Sequence, residues 1–204
     1  MARADLRIVV VGAGRVSREL APAWQRAGHD ILHVVSRTAQ SAQPLGETLG
    51  CSWSTTLTDA AGALSDAEVV VIAVTDGLIS EINAAITDMV SPSCLMVHVS
   101  GATPLDHLRP PSAVVWPIRS FNPKASSVPL AITPTVLEAS DDQAMVVAHT
   151  LASAWDAEVS EVSGAQRAAA HMAAAVADNF ANHMFAEAQD LSLIHISEPT
   201  RPIR

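Results

Sequence analysis

The chain has 204 residues, 49% hydrophobic and 16% charged, with a formal net charge of −9. That length allows one full domain and part of another, the composition excludes a disordered segment, and the negative charge argues against nucleic acid or an anionic membrane surface as a partner. Two cysteines, Cys51 and Cys94, lack CxxC spacing, and no apolar run nears the ~18 residues of a membrane span, so the expectation is a cytoplasmic protein without disulfides or bound metal.

In chain order, Leu6 to Val11 reads as a strand, Arg15 to Ala27 as a helix that Pro22 should bend or weaken, and Ile31 to Ser36 as a second strand. Leu57 to Leu64 reads as a short helix, Glu68 to Val74 as a buried strand, Leu78 to Met89 as a helix and Leu95 to Ser100 as another strand. This alternation predicts βαβ units feeding a parallel sheet. Beyond Ser100, prolines at 104, 110, 111, 117, 123, 129 and 134 interrupt any helix. Ala113 to Trp116 and Leu130 to Leu137 read as strands, Asp141 to Ala154 as a helix and Glu158 to Val162 as the last strand. From Gly164 an alanine-rich helix runs to about Leu191.

The expected fold is therefore α/β. A doubly wound, mostly parallel Rossmann sheet occupies residues 1–163, and the first helix of an all-helical second domain occupies 164–191. The tail over 192–204 breaks with the rest of the chain and resembles translated adapter read-through, so it carries no weight in the fold.

The segment IVVVGAGRVSREL places Gly12, Ala13 and Gly14 directly after a strand, with Arg15 and Val16 opening a helix. Gly12 permits a tight turn, and Gly14 lets the backbone approach a pyrophosphate resting on the helix N-terminus. Ser17 stands where a third glycine is usual and is small enough to keep the helix close to the sheet. Strand two ends in Ser36, Arg37 and Thr38 rather than in the carboxylate that accepts a ribose 2′-hydroxyl. A guanidinium flanked by hydroxyls pairs with a 2′-phosphate, so NADP(H) is expected over NAD(H); the alternative is an arginine solvated in a loop.

Three segments reach the carboxyl edge of such a sheet: 73–77, 98–103 and 115–123. Val74 and Thr75 would lie along the cofactor. Ser100 reads either as a donor to substrate or as an ordinary turn, and Asp76 as a helix cap. Trp24, Trp53 and Trp155 read as core, whereas Trp116 could wall a pocket. On the alanine-rich helix, His171, Asp178 and Asn182 share one face with Asn179 at its edge, and His171 is either the proton donor to a carbonyl or imine or a solvated histidine. His171 and Asn179 are ~12 Å apart along the axis, a spacing that suits a substrate and a nicotinamide ribose. The catalytic candidates are His171, Asn179 and Ser100. No GxSxG elbow is present, which argues against a hydrolase.

The segments VVVGAGRVS at 9–17, AVTDGLI at 73–79, VHVSGATPLDHL at 97–108, VWPIRSF at 115–121 and 169–191 occur in an order that resembles one known group. These are Rossmann-like NADP oxidoreductases with a helical C-terminal domain of unassigned function, relatives of pyrroline-5-carboxylate and ketopantoate reductases. Trp116-Pro117-Ile118 with Ser120-Phe121 looks like the family's edge segment. His171 and Asn179 match the family's helix, while Ala170 and Asp178 depart from its tyrosine and serine. The resemblance implies hydride transfer to or from a small carbonyl or imine with NADP(H). Its rivals are a catalytically silent NADP(H)-responsive module that acts through a partner, and a reductase whose hydride partner is a deazaflavin. The resemblance further implies a homodimer through the helical domain, and a chain that stops before that domain is complete.

Overall fold

The computed structural model describes residues 5–121, 130–155 and 158–196, with the side chains of 193–196 left aside. Eight strands form one sheet: β1 (Arg7–Val11), β2 (Asp30–Val35), β3 (Ser52–Ser54), β4 (Val69–Ile72), β5 (Leu95–His98), β6 (Ser112–Pro117), β7 (Thr135–Ala139) and β8 (Val159–Glu161). Their spatial order is β3-β2-β1-β4-β5-β6-β7-β8, parallel throughout except where β7 runs against β6. The chain works outward from β1 in both directions, so the strand order reverses between β1 and β4. A crevice opens there at the carboxyl ends of the strands.

The helices are α1 (Arg15–Arg26), α2 (Ala39–Leu49), α3 (Ala61–Asp66), α4 (Ile79–Ile86), α5 (Asp142–Ala152) and α6 (Gly164–Ile196). They cover both faces of the sheet, and the period-2 alternation of β1 divides the core between them. Ile8 and Val10 face Leu20 and Trp24 of α1 and Leu151 of α5, while Val9 and Val11 face Leu64 of α3 and Ile79 of α4. A third, smaller cluster of Val114, Trp116 and Val136 receives Ala170 and Ala174 of α6.

Pro22 does not interrupt α1, which runs unbroken from Arg15 to Arg26. An interior proline costs ~3 kcal/mol, but burying side chains of the size of Leu20 and Trp24 contributes roughly 1.5–3 kcal/mol each. The Trp24 indole N–H also donates to the Leu151 carbonyl at 3.1 Å, which ties α1 to α5. Packing outweighs propensity at this site.

The structure departs from the sequence expectations in four places. Residues 39–49 form α2, unassigned in the sequence because Pro44 interrupts a weakly amphipathic stretch; Gly50, left-handed at φ +64°, ends it. The three-residue strand β3 follows and is too short to show a period. Leu130–Ile132 is a single 3-10 turn, and the strand expected there begins only at Thr135, after Pro134. The last helix starts at Gly164 as expected and runs past Leu191 to Ile196; the remainder of the tail, 197–204, lies outside the described residues. No described helix is long and apolar enough to cross a membrane.

Candidate functional site

A crevice of about 680 Å³ opens at the carboxyl ends of β1, β2 and β4. Its floor is the turn Gly12-Ala13-Gly14 with Arg15 and Val16, where sequence reasoning placed it. Gly12 has φ +108°, and a Cβ there would stand 2.3 Å from the Ala73 carbonyl oxygen, so only glycine fits. A Cβ on Gly14 would meet nothing within 4 Å, which leaves its backbone open toward the crevice. The buried Ser17 hydroxyl donates to the Gly12 carbonyl and so pins the turn from below. Arg18 donates through Nε to the Ala13 carbonyl at 3.2 Å and through Nη2 to the Ser41 carbonyl at 3.3 Å, joining the turn to the start of α2.

Ser36 and the exposed Arg37 line the same crevice at the end of β2, and Val74 and Thr75 line it after β4. Thr38 does not. It stands at the N-cap position of α2 and donates to the Ser41 hydroxyl at 3.1 Å, so Ser41 faces the crevice in its place. Leu57, Leu78 and Ile82 supply apolar walls that the sequence reading missed, because they come from three separate elements. The cradle fits a dinucleotide: an open backbone turn at a helix N-terminus, apolar walls and a cation at the end of β2.

A second grouping lies where β5 and β6 end. Trp116 at the end of β6 meets His171 of α6 edge-on, with ring centroids 5.4 Å apart. Gly101 sits beneath both: a Cβ there would be 2.5 Å from Trp116 Cε2 and 2.6 Å from His171 Nδ1. The Ser100 hydroxyl accepts from the backbone N–H groups of Ala102 at 3.1 Å and Thr103 at 3.0 Å, so it closes the turn. Asn179 is exposed, two turns further along α6, and is not brought into this grouping.

Sequence reasoning missed two neighbours. His98 is fully buried at the end of β5, and its Nδ1 accepts the Ser100 N–H at 3.2 Å. Burial first, then the Arg167 charge, pushes its pKa down to about 4, while the Pro104 carbonyl pulls the other way without coming within hydrogen-bonding geometry of Nε2. The ring is thus neutral near pH 7, with Nδ1 as acceptor. Arg167, an arginine among alanines in the sequence, is buried rather than solvated. Its only local signal is the four-residue spacing to His171.

Among the described residues no cluster of three or more potential ligands could hold a metal ion. A larger hollow of about 810 Å³ lies at the opposite edge, beside Arg7, Glu68 and Leu95 where the strands begin. Ligands in open α/β sheets gather at the other end.

Residues 7–100 match the family described as "NADP oxidoreductase coenzyme F420-dependent", and residues 133–198 match "Domain of unknown function (DUF2520)". None of the curated proteins matches the chain. A Bacteroides fragilis structure assigned as an NADP oxidoreductase is 29% identical, with a TM-score of 0.79 over 94% of this chain and 73% of that one. A semialdehyde dehydrogenase NAD-binding protein of Cupriavidus necator, solved with calcium and NAD, is 20% identical with a TM-score of 0.73 over 97% and 76% of the two chains. A pyrroline-5-carboxylate reductase of Coxiella burnetii is 20% identical with a TM-score of 0.60 over 78% and 59%. The last two likenesses show the fold alone.

Proposed function

From a chain that joins an NADP-oxidoreductase-type Rossmann domain to a DUF2520 domain, we propose a protein that transfers a hydride between NADP(H) and a small carbonyl or imine. The single observation that carries this reading is the convergence of Gly101, Trp116 and His171 at the same carboxyl edge of the sheet as the glycine-turn crevice. Reduction of a C=O or C=N bond consumes one hydride at carbon and one proton at the heteroatom. NADP(H), when bound, supplies or accepts the hydride. His171 would hold the proton, Trp116 would wall the substrate space, and the Ser100-Gly101 turn would fix the floor.

Arg37 supports NADP(H) over NAD(H), since it lines the crevice at the end of β2 where no carboxylate stands. Gly12, Gly14, Arg15 and Ser36 would hold the phosphates and the adenosine ribose, with Val74 and Thr75 along the nicotinamide side. Met172, Val176, Phe180 and Met184 expose apolar side chains along α6, which favours a homodimer paired through that helix.

One observation favours a second reading, in which a deazaflavin coenzyme rather than an organic substrate is the hydride partner: the description of the family matched over residues 7–100 names that coenzyme. Following NADPH oxidation with a panel of ketones, aldehydes and imines, and separately with the oxidised deazaflavin, tests both. Turnover of a carbonyl or imine supports the first reading, and turnover of the deazaflavin alone the second. Tight NADPH binding without any oxidation would leave the silent module.

A further inference from the structure

The helix that carries His171 is fastened to the sheet by a residue that belongs to no motif. Arg167 is 2% exposed and lies four positions before His171 on the same side of α6. Its Nε donates to Glu138 Oε2 of β7 at 2.7 Å, and its Nη1 donates to the carbonyls of Gly101 at 2.7 Å and Ser100 at 3.4 Å. A guanidinium holds its N–H groups in a rigid plane, so a carboxylate on one side and a carbonyl on the other fix its orientation. Gly164 lets the helix begin this close: a Cβ there would stand 2.9 Å from Glu138 Oε1. From the opposite side, His98 Nδ1 accepts the Ser100 N–H at 3.2 Å.

A buried ion pair is a weak stability device, because desolvation offsets its attraction; its best use is to enforce one arrangement. Here the arrangement it enforces is local. The turn held by Arg167 is the turn over which His171 and Trp116 meet. We infer that Arg167, oriented by Glu138, is a positioning residue: it locks the Ser100-Gly101 turn to α6 and thereby sets the His171 ring against Trp116. The catalytic consequence rests on the hydride-transfer reading, whereas the positioning is measurable without turnover.

The test compares the full chain with Arg167→Met/Glu138→Leu, which removes both charges and leaves no buried ion uncompensated. The probe is the His171 Cε1–H signal in proton–carbon NMR spectra, identified by its loss in His171→Gln and displaced in the parent protein by the Trp116 ring. With circular dichroism and NADPH affinity retained within twofold, the His171 signal should move to the position of an exposed histidine. On the best substrate, kcat should fall at least tenfold with KM for NADPH unchanged. Should the double variant unfold, Arg167→Lys serves instead, since it keeps the charge but not the planar fork. There, partial movement of the signal with a partial loss of kcat supports the inference. A parent-like His171 signal in either folded variant overturns it, whereas a moved signal with kcat intact upholds the positioning and overturns its catalytic consequence. If the parent protein itself turns over nothing, the NMR result still decides the positioning, and the hydride-transfer reading alone falls.

Discussion

The indole of Trp116 and the imidazole of His171 meet at an interplanar angle of 63°, their centroids 5.4 Å apart, above the bare Cα of Gly101. Neither ring could keep this place over a larger residue. Gly101→Ala would put a methyl 2.5 Å from the indole and 2.6 Å from the imidazole. Overpacking of this kind costs roughly 1–3 kcal/mol. The expected outcome is a lower Tm and at least a tenfold loss of turnover, with NADPH affinity unchanged because Gly101 does not line the cofactor crevice. Calorimetric titration beside steady-state kinetics checks this.

The glycine turn predicts the opposite division of effects. Gly12→Ala forces a side chain into φ +108° and against the Ala73 carbonyl, which belongs to the backbone and cannot swing aside. The strained dihedral alone costs roughly 1–3 kcal/mol. NADPH binding should fall below detection in titration calorimetry, and thermal unfolding should shift down.

Cofactor choice should depend on Arg37. Charge-assisted hydrogen bonds contribute roughly 1.5–3 kcal/mol, so Arg37→Asp should weaken NADPH about tenfold to a hundredfold and NADH far less. Paired titrations with the two cofactors measure this. Equal losses for both would mean that Arg37 is merely solvated at the crevice mouth.

His98 gives the fold a pH dependence of definite sign. Its folded pKa, pushed down to about 4, lies below the ordinary 6.5. Between those values the unfolded chain binds more protons, so stability falls as pH drops. The contribution is fully present above about pH 6.5 and is lost progressively toward pH 4, by about 3 kcal/mol at ~1.4 kcal/mol per unit. The buried His33, also lowered by burial, acts in the same direction. Urea unfolding at pH 7.5 and 4.5 should show the loss, and His98→Asn should reduce it.

Most strands and the glycine turn were legible because their signals are local, whereas β3 is too short to show a period and the start of β7 was placed before Pro134. Apolar runs such as Val69 to Ile72 need no partner to be recognised, and Gly12 and Gly14 follow β1 immediately. Helix α2 was not legible, since Pro44 and a polar first turn hide a helix that depends on packing against Trp53 and β2. Trp116 and His171 each stood out alone, yet nothing in the sequence brings positions 55 residues apart into ring contact. Arg167 was hidden for the same reason: its burial depends on Glu138 and Gly101, distant in sequence and contributed by other elements. Local chemistry could be read from the residues, whereas the meeting of the sheet edge with α6 is a product of topology.

The most direct measurement of hydride transfer uses NADPH carrying deuterium at both nicotinamide C4 hydrogens, incubated with the carbonyl and imine panel and with the oxidised deazaflavin. Mass spectrometry of the products should find the label at the former carbonyl or imine carbon, and His171→Gln should lower its rate of appearance at least tenfold. Absence of label from every acceptor, while NADPH remains tightly bound, would contradict the assignment as an oxidoreductase of these substrates.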